Sequence, residues 1–198
     1  MGSEAPAQAW RVGANRPIEV MLRSGLALAA LVVLIDQASK YWVLEVLRFS
    51  PPLCREVGAG CGFIEVSPIF DLSMVWNRGV SFGLLRADSD VARWGLTALQ
   101  LAIAGFFGWW LLSARTRIAA AGLSLVIGGA IGNVIDRVRF GAVVDFLDFR
   151  GLNFPWVFNV ADAAINVGAA LLVLDFLLRR EPKPGGETPP VTEEPGLR

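Results

Sequence analysis

Four apolar runs constrain this chain more than any other feature. They cover residues 24–47, 91–113, 118–138 and 156–178. A helix rises about 1.5 Å per residue, so a run of roughly 20 residues crosses the hydrocarbon core of a bilayer. Hydrophobic residues make up 54% of the chain. A soluble domain usually stays near 45–50%. The expected fold class is a mostly α membrane protein with four transmembrane helices. The runs divide the chain into an N-terminal segment, 1–23, a four-helix membrane domain, 24–178, and a Pro- and Glu-rich tail, 179–198, expected to be disordered.

The first run is too long for a signal-peptide core. Asp36 and Lys40 interrupt it, and no small-residue cleavage site follows them. It therefore reads as a retained helix. Asp36 and Lys40 are i,i+4 and share one face. They form either an ion pair that lets the helix tolerate its charges or a direct part of a site. The connection 48–90 mixes polar and apolar residues. Ile69 to Trp76 partly alternates, and Val80 to Leu84 follows a turn at Asn77-Arg-Gly79. This predicts a small β-hairpin or cradle, because Pro51, Pro52 and Pro68 interrupt any helix there. Cys54 and Cys61 fall in the same segment, as free thiols or as a local disulfide. Both are expected to be dispensable, since the chain has no histidine to activate a thiolate.

Positive charge near the helix ends predicts the orientation. Arg23 precedes the first run, Arg115 and Arg117 lie between the second and third, and Arg179, Arg180 and Lys183 follow the fourth. All three places fall on one side of a four-helix arrangement, which should be cytoplasmic. Both termini then lie inside, and 48–90 and 139–155 face outward. Trp42, Trp94, Trp109, Trp110 and Trp156 sit near the expected interfaces, as an aromatic belt would.

With those spans, the unexplained polar residues converge. Asn133, Asp136 and Arg137 lie in the last turns of the third helix, at its outer end. Asn159, Asp162 and Asn166, spaced i, i+3, i+7, form one face at the outer end of the fourth. Asp36 and Lys40 are in the outer half of the first. Asn77 and Gly79 lie in the outer connection, and Asp145 in the outer loop. Charged groups near the hydrocarbon face the protein interior and carry a partner or a function. Small residues such as Gly128, Gly129 and Gly132 allow close helix approach, which packing alone explains.

The absence of histidine removes the Ser-His-Asp and Cys-His triads and histidine-ligated zinc. The formal net charge is zero, so no basic field invites nucleic acid. A pair of carboxylates remains. Two close carboxylates share a proton, so one can activate water while the other hydrogen-bonds a substrate carbonyl. Spacing picks Asp162 firmly as one member and leaves Asp136 and Asp145 open as its partner. A different class, a small proton-coupled transporter, would use Asp136, Asp145 and Asp162 as a relay. It would need polar groups deep in the bilayer, where the second and third runs offer only Gln100 and Ser124.

Four blocks carry a family resemblance. They are Asp36-Gln-Ala-Ser-Lys40, Asn77-Arg-Gly-Val-Ser-Phe82, Gly128-Gly-Ala-Ile-Gly-Asn-Val-Ile-Asp-Arg137 with Val143-Val-Asp-Phe146, and Phe158-Asn-Val-Ala-Asp-Ala-Ala-Ile165. In this order they resemble the bacterial lipoprotein signal peptidases, or signal peptidase II. The chain departs from the family's usual pattern at Val80-Ser81. The resemblance implies an aspartic endopeptidase of the bacterial inner membrane, with its site at the extracytoplasmic face. Such enzymes cleave diacylglyceryl-modified prolipoproteins before the lipidated cysteine. It selects Asp145 and Asp162 as the catalytic pair. Asn77, Gly79, Asn133, Arg137 and Asn159 match substrate-binding positions, and Asp36, Lys40 and Asp136 supporting ones. It further implies a monomer with membrane lipid around it and neither cofactor, metal nor nucleic acid.

Overall fold

The fold is given by a computed structural model that describes residues 16–49, 62–79 and 90–178. Pro51, Pro52, Cys54, Cys61, the expected strand at 80–84 and the segments 1–15 and 179–198 lie outside the described residues.

Four long helices and a small sheet make up the described part. They are α1 (Arg16–Tyr41), α2 (Asp90–Leu111), α3 (Arg117–Phe140) and α4 (Val160–Leu178). Helices α2, α3 and α4 are long and apolar enough to cross a membrane. Helix α1 is 26 residues long but carries Glu19, Arg23, Asp36 and Lys40. It passes into a π-helical turn, Trp42–Val46, closed by the Leu47 N–H donating to the Trp42 carbonyl at 2.9 Å.

Helix α3 is the centre, packed against α1, α2 and α4. Its N-terminus is capped by Thr116, whose Oγ1 accepts from the Ala119 N–H at 3.0 Å. Thr116 Oγ1 also donates to buried Asp175 on α4, tying the helix start to its neighbour. At the other end Gly141, with φ of 79°, adopts the left-handed conformation that stops the helix, and its N–H donates to the Arg137 carbonyl. The chain then turns straight into a strand. Gly132 is where α3 meets α1: a Cβ there would lie 2.6 Å from Asp36 Oδ2.

The sheet is antiparallel, in the order β1 (Phe63–Ser67), β2 (Phe70–Asn77), β3 (Val143–Asp148), β4 (Val157–Phe158). Leu72, Met74 and Trp76 alternate on β2, and with Val144 and Phe146 they bury one face against Val43 and Phe49. The register sets Val75 opposite Asp145 and Asn77 opposite Val143, after an irregularity between Leu72 and Val75.

Two expectations change here. Asp145 is not in a loop: it stands in β3, because Val144 and Phe146 complete the apolar face that β2 presents. Asn159, Asp162 and Asn166 do not form one working face either. Asn159 precedes α4 as its cap, and exposed Asn166 turns back to donate to the Asp162 carbonyl at 3.0 Å.

Polarity runs opposite to that of a soluble bundle. Leu31, Leu34, Leu99, Phe106, Val173 and Phe176 are exposed, while Asp36, Lys40, Asn133 and Asp136 are buried.

Candidate active site

The site forms where the C-terminal ends of α1 and α3 and the N-terminal end of α4 meet the β2–β3 edge. Its first piece is local. Asn159 Oδ1 accepts from the Asp162 N–H at 2.9 Å, and Asp162 Oδ2 accepts from the Asn159 N–H at 3.4 Å. This is a reciprocal capping box, with Asn159 at the cap and Asp162 three residues on. It satisfies two orphan donors of α4 and fixes the Asp162 carboxylate at the helix entrance.

The second piece is Asp145. It is 1% exposed. Its Oδ1 accepts from Asn159 Nδ2 at 2.7 Å and its Oδ2 from Asn77 Nδ2 at 2.9 Å. Asn77 is itself oriented by the Gly79 N–H, which donates to its Oδ1 at 3.0 Å. Asn133 on α3 completes the chain. It donates through Nδ2 to Asp162 Oδ1 at 2.8 Å and accepts from Asn159 Nδ2 at 3.1 Å. One run of amides therefore links the two carboxylates. Burial pushes the Asp145 carboxyl up to about 7, and the charge of nearby Asp162 adds to the rise. Hydrogen bonds from Asn77 and Asn159, and the Lys40 charge, oppose it. A carboxyl so placed holds its proton at neutral pH more readily than a free one does.

The third piece is a buried ion cluster behind the pair. Lys40 Nζ lies 2.8 Å from Asp36 Oδ2 and 2.7 Å from Asp136 Oδ2, and all three side chains are almost wholly buried. It also donates to Asn133 Oδ1 at 3.4 Å. Asp36 Oδ1 accepts from the Ala161 N–H, another orphan donor of α4, at 3.0 Å. Asp136 Oδ2 accepts from the Val144 N–H at 3.1 Å. The cluster thus binds α1, α3, α4 and β3 into one unit. The Asp36–Lys40 ion pair is present, but it is tertiary in purpose, since Asp36 reaches the Ala161 N–H of α4 while Lys40 reaches Asp136 and Asn133 of α3.

Arg137, 8% exposed, places its charge near Asp145, Asp162 and Asp136. Its Nη1 donates to Gln100 Oε1 at 2.7 Å. Every residue that the sequence singled out for the site, Asp36, Lys40, Asn77, Gly79, Asn133, Asp136, Arg137, Asp145, Asn159 and Asp162, belongs to this one neighbourhood. Sequence reading assigned Gln37, Arg93 and Gln100 no part in the site. Gln37 Nε2 donates to Asp36 Oδ2 at 3.1 Å and to Asp136 Oδ1 at 3.0 Å. A glutamine inside an apolar run was the available signal. Among the described residues no group of three metal-ligating side chains is placed to hold an ion.

Comparison with known proteins gives one answer. A family model described as signal peptidase (SPase) II matches residues 28–178. A lipoprotein signal peptidase of Caulobacter vibrioides is 47% identical over 163 residues, covering 82% of this chain and 91% of that protein. One of Rhizorhabdus wittichii is 48% identical, covering 80% of this chain and 88% of that protein. Among solved structures, a bacterial membrane enzyme determined by the in meso method at 1.9 Å aligns with a TM-score of 0.63 at 26% identity, over 79% of this chain and 94% of that one. A second, at 2.3 Å, aligns with the same TM-score at 24% identity, over 78% and 88%, and so shows the shared fold.

Proposed function

This chain belongs to the signal peptidase II family, and on that premise we propose that it is an aspartic endopeptidase that cleaves diacylglyceryl-modified prolipoproteins immediately before the lipidated cysteine. The observation that carries the mechanism is the amide-linked pair of Asp145 and Asp162, with Asp145 pushed up to about 7.

The two carboxylates have different surroundings, which suits different roles. Buried Asp145 keeps its proton and donates it in a hydrogen bond to the scissile carbonyl oxygen. Half-buried Asp162 takes a proton from water as the water oxygen bonds to the carbonyl carbon. Asp145 passes its proton to the carbonyl oxygen as the water adds, and the resulting gem-diol collapses as Asp162 passes its own proton to the leaving nitrogen and the C–N bond breaks. Asp145 takes back a proton from one hydroxyl of the gem-diol, so the product is a carboxylic acid, Asp145 ends protonated and Asp162 ends as the carboxylate. Asn77, Asn133 and Asn159 hold the pair in register and meet polar groups of the peptide as it enters. Arg137 offers guanidinium donors to substrate carbonyls. Gly79 shapes the wall beside Asn77. Asp36, Lys40 and Asp136 support the site.

The same reading makes α1 a fourth membrane span and puts the sheet on the extracytoplasmic side of the bacterial inner membrane, with both termini inside. Burial of Asp36 and Lys40 against α3 and α4 supports this, since a span tolerates charges that it hides in the bundle. The site then sits at the membrane edge, so the lipid stays among lipids while the peptide bond reaches water. The protein acts as a monomer. Cysteine labelling of intact cells should mark residues near 70 from outside and the Arg115–Arg117 loop only after the membrane is opened. Labelling of that loop from outside would invert the arrangement.

The direct test is turnover of a diacylglyceryl prolipoprotein by the purified protein in lipid, against the same prolipoprotein without its lipid. Cleavage of the first alone, at the bond before the cysteine, is expected. Cleavage of neither would end the proposal.

A further inference from the structure

Helix α2 contributes no residue to the carboxylate pair or to the ion cluster, yet it touches the site twice. Arg93 donates through Nε to the Arg137 carbonyl at 2.8 Å and through Nη2 to the Val138 carbonyl at 2.8 Å. These belong to the last turn of α3, where a cation is favoured, and the Arg137 carbonyl accepts from the Gly141 N–H as well. One turn further along α2, Thr97 is buried and ties back to the Arg93 carbonyl. Gln100 follows, and its Oε1 accepts from Arg137 Nη1 at 2.7 Å. Arg93, Thr97 and Gln100 are spaced i, i+4, i+7, so they share the face of α2 turned to α3. That face grips Arg137 at both ends: Arg93 holds its main chain and Gln100 its guanidinium.

We infer that Gln100 is a positioning residue, whose amide oxygen aims the Arg137 guanidinium at the peptide beside Asp145 and Asp162. The inference rests on the peptidase reading above. A guanidinium between three carboxylates, Asp136, Asp145 and Asp162, is drawn toward all of them. An oxygen acceptor on the opposite helix directs one of its nitrogens. A carbonyl oxygen can do this, and an apolar side chain of the same size cannot. Arg93 serves the same end from the main chain, by fixing the turn that carries Arg137.

The experiment is a double-mutant cycle read in kcat/KM for a diacylglyceryl prolipoprotein, with thermal melting of each variant alongside. Gln100→Met keeps the volume and loses the acceptor. It should lower kcat/KM about tenfold, as loss of a hydrogen bond to a charged group does. Gln100→Glu restores an oxygen at the same place and should recover most of that loss. In an Arg137→Lys background the planar fork is gone, so Gln100→Met should then cost less than about twofold. A role in packing alone would give the same loss in both backgrounds and would overturn the inference. So would a Gln100→Met protein as active as the parent, or a Gln100→Glu protein no better than Gln100→Met. Failure of the unaltered protein to cleave would instead strike the peptidase reading, so the two failures are distinguishable.

Discussion

Asp145→Asn and Asp162→Asn should each reduce cleavage of a diacylglyceryl prolipoprotein by a factor on the order of 10² to 10⁴, with substrate binding retained. Asparagine nearly matches aspartate in shape. It can neither take a proton from water nor give one to a carbonyl oxygen. Asn77 and Asn159 each donate to an Asp145 oxygen, so Asp145→Asn keeps one good acceptor and turns the other contact donor against donor. Some loss of stability is expected for that variant, and melting curves separate it from loss of chemistry. Asp162→Asn keeps its backbone N–H to Asn159, and its amide oxygen can still accept from Asn133, so it gives up only the 3.4 Å contact from the Asn159 N–H. It is therefore the cleaner test. The double variant should be little worse than either single one, because the pair acts as a unit.

The pH profile follows from the same geometry. Asp145 must carry its proton to donate to the carbonyl, and burial lifts its carboxyl to about 7. The rate should therefore fall as pH rises through that region. That limb belongs to the coupled pair and not to Asp145 alone. A rate that keeps climbing well above pH 8, or an Asp162→Asn protein with substantial turnover, would refute the aspartic mechanism.

Lys40→Met should be the most damaging change to stability. It leaves Asp36 and Asp136, both fully buried, facing each other without the cation between them. Removing one partner from a buried ion pair costs about 3–5 kcal/mol, because the other charge stays behind. Here two charges stay behind, and each also holds a backbone N–H of another element, Ala161 for Asp36 and Val144 for Asp136. The thermal midpoint in detergent should drop sharply, and activity should go with it. Adding Asp36→Asn and Asp136→Asn to Lys40→Met should restore part of the midpoint, since the stranded charges are gone while amide oxygens can still accept. A Lys40→Met protein that melts like its parent would show that the cluster is not what joins α1 to α3 and α4.

The apolar runs were enough to locate the long helices, because a membrane-length helix is a local property of about 20 consecutive residues. Their ends were less legible. The structure starts α1 at Arg16 and continues it through a π turn to Val46, and it starts α4 only at Val160. The level at which the polar residues meet also came from the sequence, since rise per residue and helix direction suffice for it. So did Asp162, whose Asn159-x-x-Asp162 spacing is a local cap.

What the sequence left open was the difference between Asp136 and Asp145. Both are buried aspartates near the end of α3, nine residues apart in the numbering. Only the tertiary structure separates their surroundings. Asp136 is taken up by Lys40 and Gln37 from α1 and by the Val144 N–H. Asp145 is carried by β3 to the opposite side of the turn, where it meets Asn77 from β2 and the Asn159 cap of α4. Each of those contacts joins residues distant in sequence. The strand itself escaped notice for the same reason: Val143-Val-Asp-Phe146 is too short to announce itself, and β2 and the core beneath it make it a strand. Local chemistry thus determined which long helices form and that their polar residues meet at one level. The choice of partner for each carboxylate waited on the fold, because a hydrogen bond between elements depends on packing that no short stretch of chain contains.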